Sequence, residues 1–397
     1  MANHEFQYVQ SDQKGSKEQI RPSLTYWADA WRRLKKNRLA VIGLIGVVII
    51  LLIGLFGPFL SPYTYRYQQT DLANLPPRLT LYHLVDDEYV FLTSQYRLIL
   101  VEKDGTVIRR LSQTSTDPIN KVYTYDYDGE PVEIDFSYRT DPTKRDLGID
   151  FTVTFRDVVE EQPARNVQNK TFIMGSDNLG RDMLTRVMYG ARISISVAVI
   201  AAIFVFVIGV VYGSVSGIVG GMTDNIMMRI VDIIDSIPLL IYVILIMVMI
   251  DKPGSGFITI ILTLGTLYWV GMARMVRGQV IGLKDQEFVL AAKVLGVPTQ
   301  KIITRHIIPN SMGPIIVSLT MMIPTAVFTE SFLSFIGLGI SAPQASWGTL
   351  ANDALGGLTT YPYQLFYPSF AIAITMLCFN FLGDGLRTAL DPRLRKG

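Results

Sequence analysis

The chain is poor in the residues from which active sites are usually built. Its three histidines, His4, His83 and His306, are scattered, and its one cysteine, Cys378, lies in an apolar run with no partner for an intrachain disulfide. Neither G-x-x-x-x-G-K-[ST] nor H-E-x-x-H nor a close Cys/His set occurs, so no metal centre and no bound cofactor are expected, and the chain should not hydrolyse ATP by itself. No nucleic-acid partner is expected. Two features remain chemically pointed. One is Glu330, an acid inside an apolar run. The other is the polar and basic stretch EFVLAAKVLGVPTQKIITRHIIPN, Glu287 to Asn310, which interrupts runs apolar enough for lipid.

A carboxylate at the centre of a membrane span costs about 2.5–3.5 kcal/mol on insertion scales and is normally turned inward. Glu330, with Ser334, is therefore a candidate for the wall of a translocation path; the other reading bonds it to Ser331, Ser334 or a neighbouring helix. Asp232 and Asp235 fall near the end of another apolar span, where interfacial water or the basic C-terminal tail would solvate them. They are assigned no substrate role.

The elements that must position these groups are mostly membrane helices. With a mean hydropathy of +0.32 and 18% charged residues, the chain is too apolar for an ordinary soluble protein. Leu39 to Leu60 would reach roughly 33 Å as a helix, enough to cross a bilayer, and reads as an uncleaved anchor. Arg32, Arg33, Lys35, Lys36 and Arg38 precede it and should hold the N-terminus in the cytoplasm. Before them, Leu24, Trp27, Ala28, Trp31 and Leu34 recur at helical spacing behind Ser23, predicting a short interfacial or partner-packed helix in the segment 1–38.

Five more apolar spans follow, at Ile193–Ile218, Ile226–Ile250, Phe257–Met275, Gly313–Leu338 and Pro368–Leu386. Six crossings return the C-terminus to the cytoplasm, in agreement with the basic tail DPRLRKG. Arg181, Arg186 and Arg192 would then lie outside, offset by Asp177 and Asp182. Gly209, Gly213, Gly217 and Gly221 form a smooth stripe for close helix packing, and Pro238 predicts a kink.

Between the first two spans, Pro62 to Lys170 carries 18 acidic and 13 basic residues, ten of the nineteen tyrosines and short β-prone runs. A β-rich extracytoplasmic domain at 61–170, with an aromatic core, is expected there.

Within the polar stretch, Asp285 can cap a helix whose first turn holds Glu287. Phe288, Ala291, Ala292 and Leu295 then share one shallow apolar face, Gly296 suits a left-handed stop, and Pro298 suits the start of the next helix. Two short helices joined by a tight turn result, shaped to enter a groove of another protein.

The pattern of an alanine pair, three residues, glycine and then RHIIPN resembles the cytoplasmic EAA loop of binding-protein-dependent ABC importer permeases. MGSDNLGRDMLTRVMYGARISIS from Met174, TESFLSFIGLGISAPQASWG from Thr329, NFLGDGLRTALDPR from Asn380 and WRRLKKNRLAVIGL near the N-terminus resemble the second permease subunit of the oligopeptide and dipeptide importers. Two positions depart from the general loop pattern: Leu290 stands before the alanine pair, the acid being Glu287, and His306 takes a usually hydrophobic place. Most members of the family have a much shorter link where this chain has Pro62 to Lys170.

The resemblance implies an all-α polytopic membrane protein of the type I ABC importer permease fold, with six transmembrane helices and the β-rich domain inserted between helices 1 and 2. The permease core would be 171–397, with a coupling loop at 281–309 in which Glu287, Phe288, Ala291, Ala292, Leu295, Gly296, Arg305, His306 and Pro309 meet the ATPase. The implied partners are a homologous second permease subunit, two ABC ATPase subunits that use ATP and Mg, an extracytoplasmic peptide-binding protein, the peptide substrate and the lipid bilayer. The implied place is the cytoplasmic (inner) membrane of a bacterium or archaeon. Dipeptides, nickel or glutathione are alternative cargoes; a membrane sensor or scaffold is the alternative of another class.

Overall fold

The computed structural model of the chain describes residues 25–139, 148–250, 256–340 and 344–391; His4, Ser23, Leu24 and the tail beyond Asp391 lie outside them. Helix α1 (Tyr26–Lys36) starts behind Thr25, buries Ala30 and Leu34, and leaves Trp27 and Trp31 exposed. Its buried stripe rests on the last helix of the chain, where the Tyr26 hydroxyl donates to the Leu390 carbonyl at 3.1 Å. Asn37 is extended, and its side chain accepts from the Ala40 amide at 3.3 Å, which caps α2 (Arg38–Leu60). Pro58, inside α2, offers no N–H to the Gly54 carbonyl four residues back. Arg192 supplies the missing donor, with Nε 3.1 Å from the Gly54 oxygen and Nη2 2.8 Å from that of Leu55.

The remaining helices are α3 (Met183–Val219), α4 (Gly221–Asp235), α5 (Leu239–Ile250), α6 (Gly256–Leu283), α7 (Glu287–Val294), α8 (Thr299–Phe335), α9 (Trp347–Asp353) and α10 (Tyr363–Leu390). Among the described residues, five helices, α2, α3, α6, α8 and α10, are long and apolar enough to cross a membrane. The expected span Ile226–Ile250 is instead two helices, α4 and α5, meeting at 90°. A kink was expected at Pro238, and the structure has a full break. Proline withholds its amide and also pushes Ile237, before it, out of the helical region.

Gly209, Gly213 and Gly217 bring α3 against α6. A Cβ at Gly213 would stand 2.4 Å from the Ala273 carbonyl. Gly221, the expected fourth member, faces open space; with φ +60 it forms the turn between α3 and α4 together with Gly220. A second close contact, not foreseen, joins α2 to α10, where a Cβ on Gly46 would stand 2.3 Å from the Cys378 sulfur. These two seams fix α3 against α6 and α2 against α10.

Among the described residues between α2 and α3 lie ten strands: β1 (Arg78–Val85), β2 (Glu88–Leu92), β3 (Leu98–Glu102), β4 (Val107–Arg110), β5 (Ser112–Asp117), β6 (Val122–Tyr127), β7 (Glu130–Asp135), β8 (Thr152–Phe155), β9 (Val158–Glu160) and β10 (Arg165–Gln168). They form two antiparallel sheets, ordered β10-β1-β2-β3-β4 and β5-β6-β7-β8-β9. Alternation assigns the faces. Leu98 and Leu100 of β3 share a core with Tyr125, Val132, Ile134 and Phe155 of the second sheet, while Ile99 and Val101 share another with Leu72, Leu75, Leu79 and Phe172. The first sheet is thus covered on both faces, which accounts for the unbroken apolar run LILV. The core between the sheets is aromatic, as expected: Tyr125 is buried, its hydroxyl donates to the Tyr96 carbonyl at 2.6 Å, and Phe136 meets the rings of Tyr96 and Tyr123 edge-on. On the surface, Lys170 lies 2.7 Å from Asp104 and holds its carboxyl down to about 2.

Arg78 pairs with Gln168, so the β region leaves and rejoins the helices side by side. The Leu75 amide donates to the Ser176 hydroxyl at 2.8 Å, which in turn donates to the Leu72 carbonyl at 2.6 Å. At the start of α10, the Tyr363 hydroxyl lies 3.0 Å and 2.8 Å from the carbonyls of Leu75 and Ser176, and Gln364 Nε2 donates to Asn74 at 2.9 Å. This neck seats the sheets on one end of the helix bundle. Helix α7 lies at the other.

Candidate functional site

At the end remote from the sheets, α7 is held between α6 and α8. Asp285 is not its cap: Gln286 occupies that position and no side chain bonds the first turn. The C-terminal stop is as the sequence predicts. Gly296 has φ +73, its amide donates to the Lys293 carbonyl at 3.0 Å, and the Val297 amide donates to Ala292 at 3.1 Å, the paired bonds of a Schellman turn. Lys293 Nζ reaches back to the Lys284 carbonyl at 3.3 Å, tying α7 to the end of α6.

The faces of α7 differ from the expected grouping. Ala292 turns inward with Val289, whereas Phe288, Leu290, Ala291, Val294 and Leu295 are exposed, the last two by 87% and 81%. Glu287 is exposed beside them. Two inward residues three apart seat the helix, which leaves the opposite face free as an apolar patch flanked by an acid.

The second short helix is not separate. Residues from Thr299 run without a stop into α8, with Pro298 at the cap position and a π turn at Ile303–Ile307. There the Ile308 amide donates five residues back to Ile303. Pro309 explains the widening, because it gives no donor to the Arg305 carbonyl and its ring crowds that oxygen. Arg305 and Pro309 are exposed and His306 is partly buried, its carbonyl accepting from Asn310 Nδ2 at 2.6 Å. The segment Thr299–Ile307 and a membrane-length helix are therefore one element, Thr299–Phe335.

Two arginines of α6 pair with acids of α4. Arg277 of α6 grips Asp224 through Nε and Nη2, both at 2.6 Å, and Ser216 adds a third bond to that carboxylate. Arg274, one turn earlier, reaches Asp235 at 2.7 Å and Asp232 at 2.9 Å. Asp232 and Asp235 are therefore held by α6, a partner the sequence reading did not name. Opposite charges in two adjacent apolar segments were the available signal.

Glu330 is completely enclosed. Its carboxylate accepts from Ser194 of α3 at 2.8 Å, from Ser334 at 2.8 Å and from Ser331 at 3.4 Å. The Ser194 hydroxyl also lies 3.3 Å from the Trp347 amide, so one acid joins α3, α8 and the start of α9. Glu330 is turned inward as its charge requires, but onto serines of its own chain. Ser334 also borders a cleft of about 330 Å³ at the sheet-bearing end, lined too by Asn178, Arg181, Arg186, Gln344 and Asp353.

Asp177, next to that cleft, accepts from Arg181 Nε at 2.6 Å and from Arg186 Nη1. Asp182 does not share in this pairing. It caps α3 through the Thr185 amide at 2.8 Å and hydroxyl at 2.5 Å, and burial pushes its carboxyl up, against those bonds. No cluster of His, Cys, Asp or Glu suited to a metal ion occurs among the described residues.

Comparison with known proteins shows the family. Residues 209–396 match the family model for the inner membrane component of binding-protein-dependent transport systems, and residues 25–77 match that for the N-terminal transmembrane domain of oligopeptide transport permease C. The oligopeptide transport system permease protein OppC of Bacillus subtilis is 39% identical over 383 residues, covering 96% of this chain and 95% of that protein. The chain belongs to this permease family. The dipeptide transport system permease protein DppC of Bacillus subtilis is 40% identical over 95% of the permease described here and 88% of its own length. OppC of Escherichia coli is 46% identical over 221 residues, 56% of this permease and 72% of that protein. Matches spanning 95% or more of the permease must run through the sheets, so the β region has counterparts in the Bacillus proteins. A chain of the MetNI methionine ABC transporter, in an inward-facing conformation, aligns with 53% of the permease and 98% of its own length at 19% identity and a TM-score of 0.44. The permease is a polytopic membrane protein with five to six apolar helices and a β-rich region toward its N-terminus.

Proposed function

We propose that this permease forms half of the pore of an ATP-driven importer of oligopeptides and that α7 is the element through which separate ATPases drive it. The observation that carries the reading is the exposed apolar face of Phe288, Leu290, Ala291, Val294 and Leu295. It stands on a helix closed by the Gly296 turn and joined to α8 by only Val297 and Pro298. An eight-residue helix with that much apolar surface at the polar end of a bundle calls for a protein groove.

In this reading α4 and α5 together make the sixth crossing, both chain ends and α7 are cytoplasmic, and the sheets lie outside. A homologous second permease completes the pore, two ABC ATPases bind the paired α7 helices, and an external binding protein delivers the peptide. Closure of the ATPases on ATP draws the α7 helices together, and α8, which carries Pro314 and Pro324 beyond its π turn, passes the displacement across the membrane. Rocking of this kind needs two packings of similar energy. The 90° break between α4 and α5 is where the bundle has a joint for it. The role proposed for Glu330 is a clamp among α3, α8 and α9 at the outer end of the path. The ionic lacing of α4 to α6 through Arg274 and Arg277 is proposed to keep the broken crossing attached to α6 during the stroke.

The peptide cargo follows the named activities of the oligopeptide and dipeptide relatives. Its test is uptake of a labelled tetrapeptide by proteoliposomes holding the two permeases and two ATPases, with the binding protein supplied. ATP-dependent accumulation inside that disappears without this chain is the expected result. Uptake that persists without it would refute the assignment.

A further inference from the structure

The cleft at the sheet-bearing end holds a charge arrangement that the pumping machinery does not use. Arg181 and Arg186 line it with side chains only 8% and 5% exposed, and they share Asp177, itself 5% exposed. Asp177 is fully committed: one oxygen takes both guanidinium groups, the other takes the amides of Leu179 and Arg181, each at 2.9 Å. Two cations against one buried anion leave one positive charge to be answered. Asp353, at the end of α9, answers it loosely, 3.5 Å from Arg186 and 3.7 Å from Arg181, with its side chain 42% exposed. Charge-assisted N–H···O bonds close to about 2.7–2.9 Å when unstrained, so the guanidinium edges facing the cleft are under-satisfied.

Resting on the peptide reading above, we propose that this cleft binds the C-terminal carboxylate of a peptide on the paired guanidinium groups of Arg181 and Arg186, with Asp353 as the built-in competitor it displaces. Asn178 and Gln344 on the rim supply amide groups that suit a peptide backbone. The volume, at the lower end of small-molecule sites, has room for the last one or two residues. Every peptide carries this carboxylate whatever its sequence, so the site would register cargo without selecting among side chains. Planar guanidinium groups suit it because they meet a carboxylate edge-on with two bonds.

The test is calorimetric titration of the full-length chain in lipid nanodiscs with trialanine, N-acetyl-trialanine, trialanine amide and acetate. Trialanine and its N-acetyl form should bind alike, and the amide at least about tenfold more weakly, since it lacks the charge-assisted bonds. D353N, which removes the competitor, should tighten trialanine binding by about tenfold and leave the amide unaffected. The acid-to-amide ratio on the unmodified chain needs no variant, so a misfolded substitution would not rescue the idea. An amide that binds as well as the acid, a D353N chain that binds trialanine no better, or acetate competing as strongly as trialanine would overturn the assignment. ATP-driven uptake by the assembled transporter is scored separately. Uptake of acid and amide peptides at equal rates would leave the importer standing and remove the carboxylate site; no uptake of either would remove the importer reading itself.

Discussion

Replacing Gly296 separates a backbone cost from a steric one. A Cβ at this position would meet nothing within 4 Å, so bulk alone is harmless there. The backbone is at φ +73, however, and an L-residue in the left-handed region pays about 1–2 kcal/mol, with β-branched residues at the upper end or beyond. Opening the turn instead would forfeit the two bonds from Gly296 and Val297, each worth about 0.5–1.5 kcal/mol. On either route Gly296→Val lowers the population of correctly angled α7 by about 2 kcal/mol, or about 30-fold. If only that conformer docks, affinity for the ATPase subunits falls by the same factor. Asparagine tolerates the left-handed region, so Gly296→Asn should bind within a few-fold of the native chain. The assay is the Kd of the nanodisc-embedded permease for its ATPase subunits, with stimulated ATP hydrolysis as a second readout. Native binding by the valine variant would refute the argument from backbone geometry. Equal losses for valine and asparagine would show that a side chain, and not φ, is what the site excludes.

Three further expectations rest on the packing of the helices and the closure of the β region. Gly213→Val drives a carbon against the Ala273 carbonyl and should cost at least about 1–3 kcal/mol, seen as a lower Tm in detergent. Gly271→Val on α6, where a Cβ meets nothing within 4 Å, should leave Tm within error; equal effects would contradict the seam. Glu330→Leu strands the buried hydroxyls of Ser194 and Ser334, about 1–3 kcal/mol for each orphaned group, while Glu330→Gln keeps an acceptor and should lose less. Equal stability of the two variants would remove the clamp. Because Arg78 and Gln168 are paired, joining Pro77 to Asn169 through two glycines deletes both sheets and keeps the neck. The shortened chain should still insert and assemble yet import poorly, whereas undiminished uptake would show that the sheets do not serve the cargo route.

Helix α7 was legible because its signals are local. Gly296 for a left-handed stop, Phe288 and Leu295 for an apolar face, and Pro298 for a restart all act within a turn or two. Asp285 misled because the capping position is set by where α6 lets go, and that leaves Gln286 there. Ala292 misled because an eight-residue helix has two apolar faces, and tertiary contact chose Val289 and Ala292 for the inside. The continuity of α8 was hidden by Pro309, which reads as a break but produces a π turn when its neighbours stay helical. Which residues pair across space was signalled only by unpaired charge in apolar runs, without the partner: Arg274 with Asp232 and Asp235, Arg277 with Asp224, and Glu330 with Ser194 join residues tens to more than a hundred positions apart. The sheets were visible in alternation and turn chemistry, while their division into two layers depended on which face of β3 met Leu72 and Phe172.

The most direct test of the coupling claim places a single cysteine at Leu295, which is 81% exposed, with the native Cys378 buried and out of reach. A benzophenone maleimide coupled to that thiol and photoactivated in membranes inserts into C–H bonds of whatever lies within reach, and mass spectrometry of the adduct identifies what that face touches. The account predicts a crosslink to a P-loop ATPase and no labelling of residue 295 by an impermeant thiol reagent added outside intact cells. Labelling from outside, or an adduct with the binding protein in place of an ATPase, would contradict it.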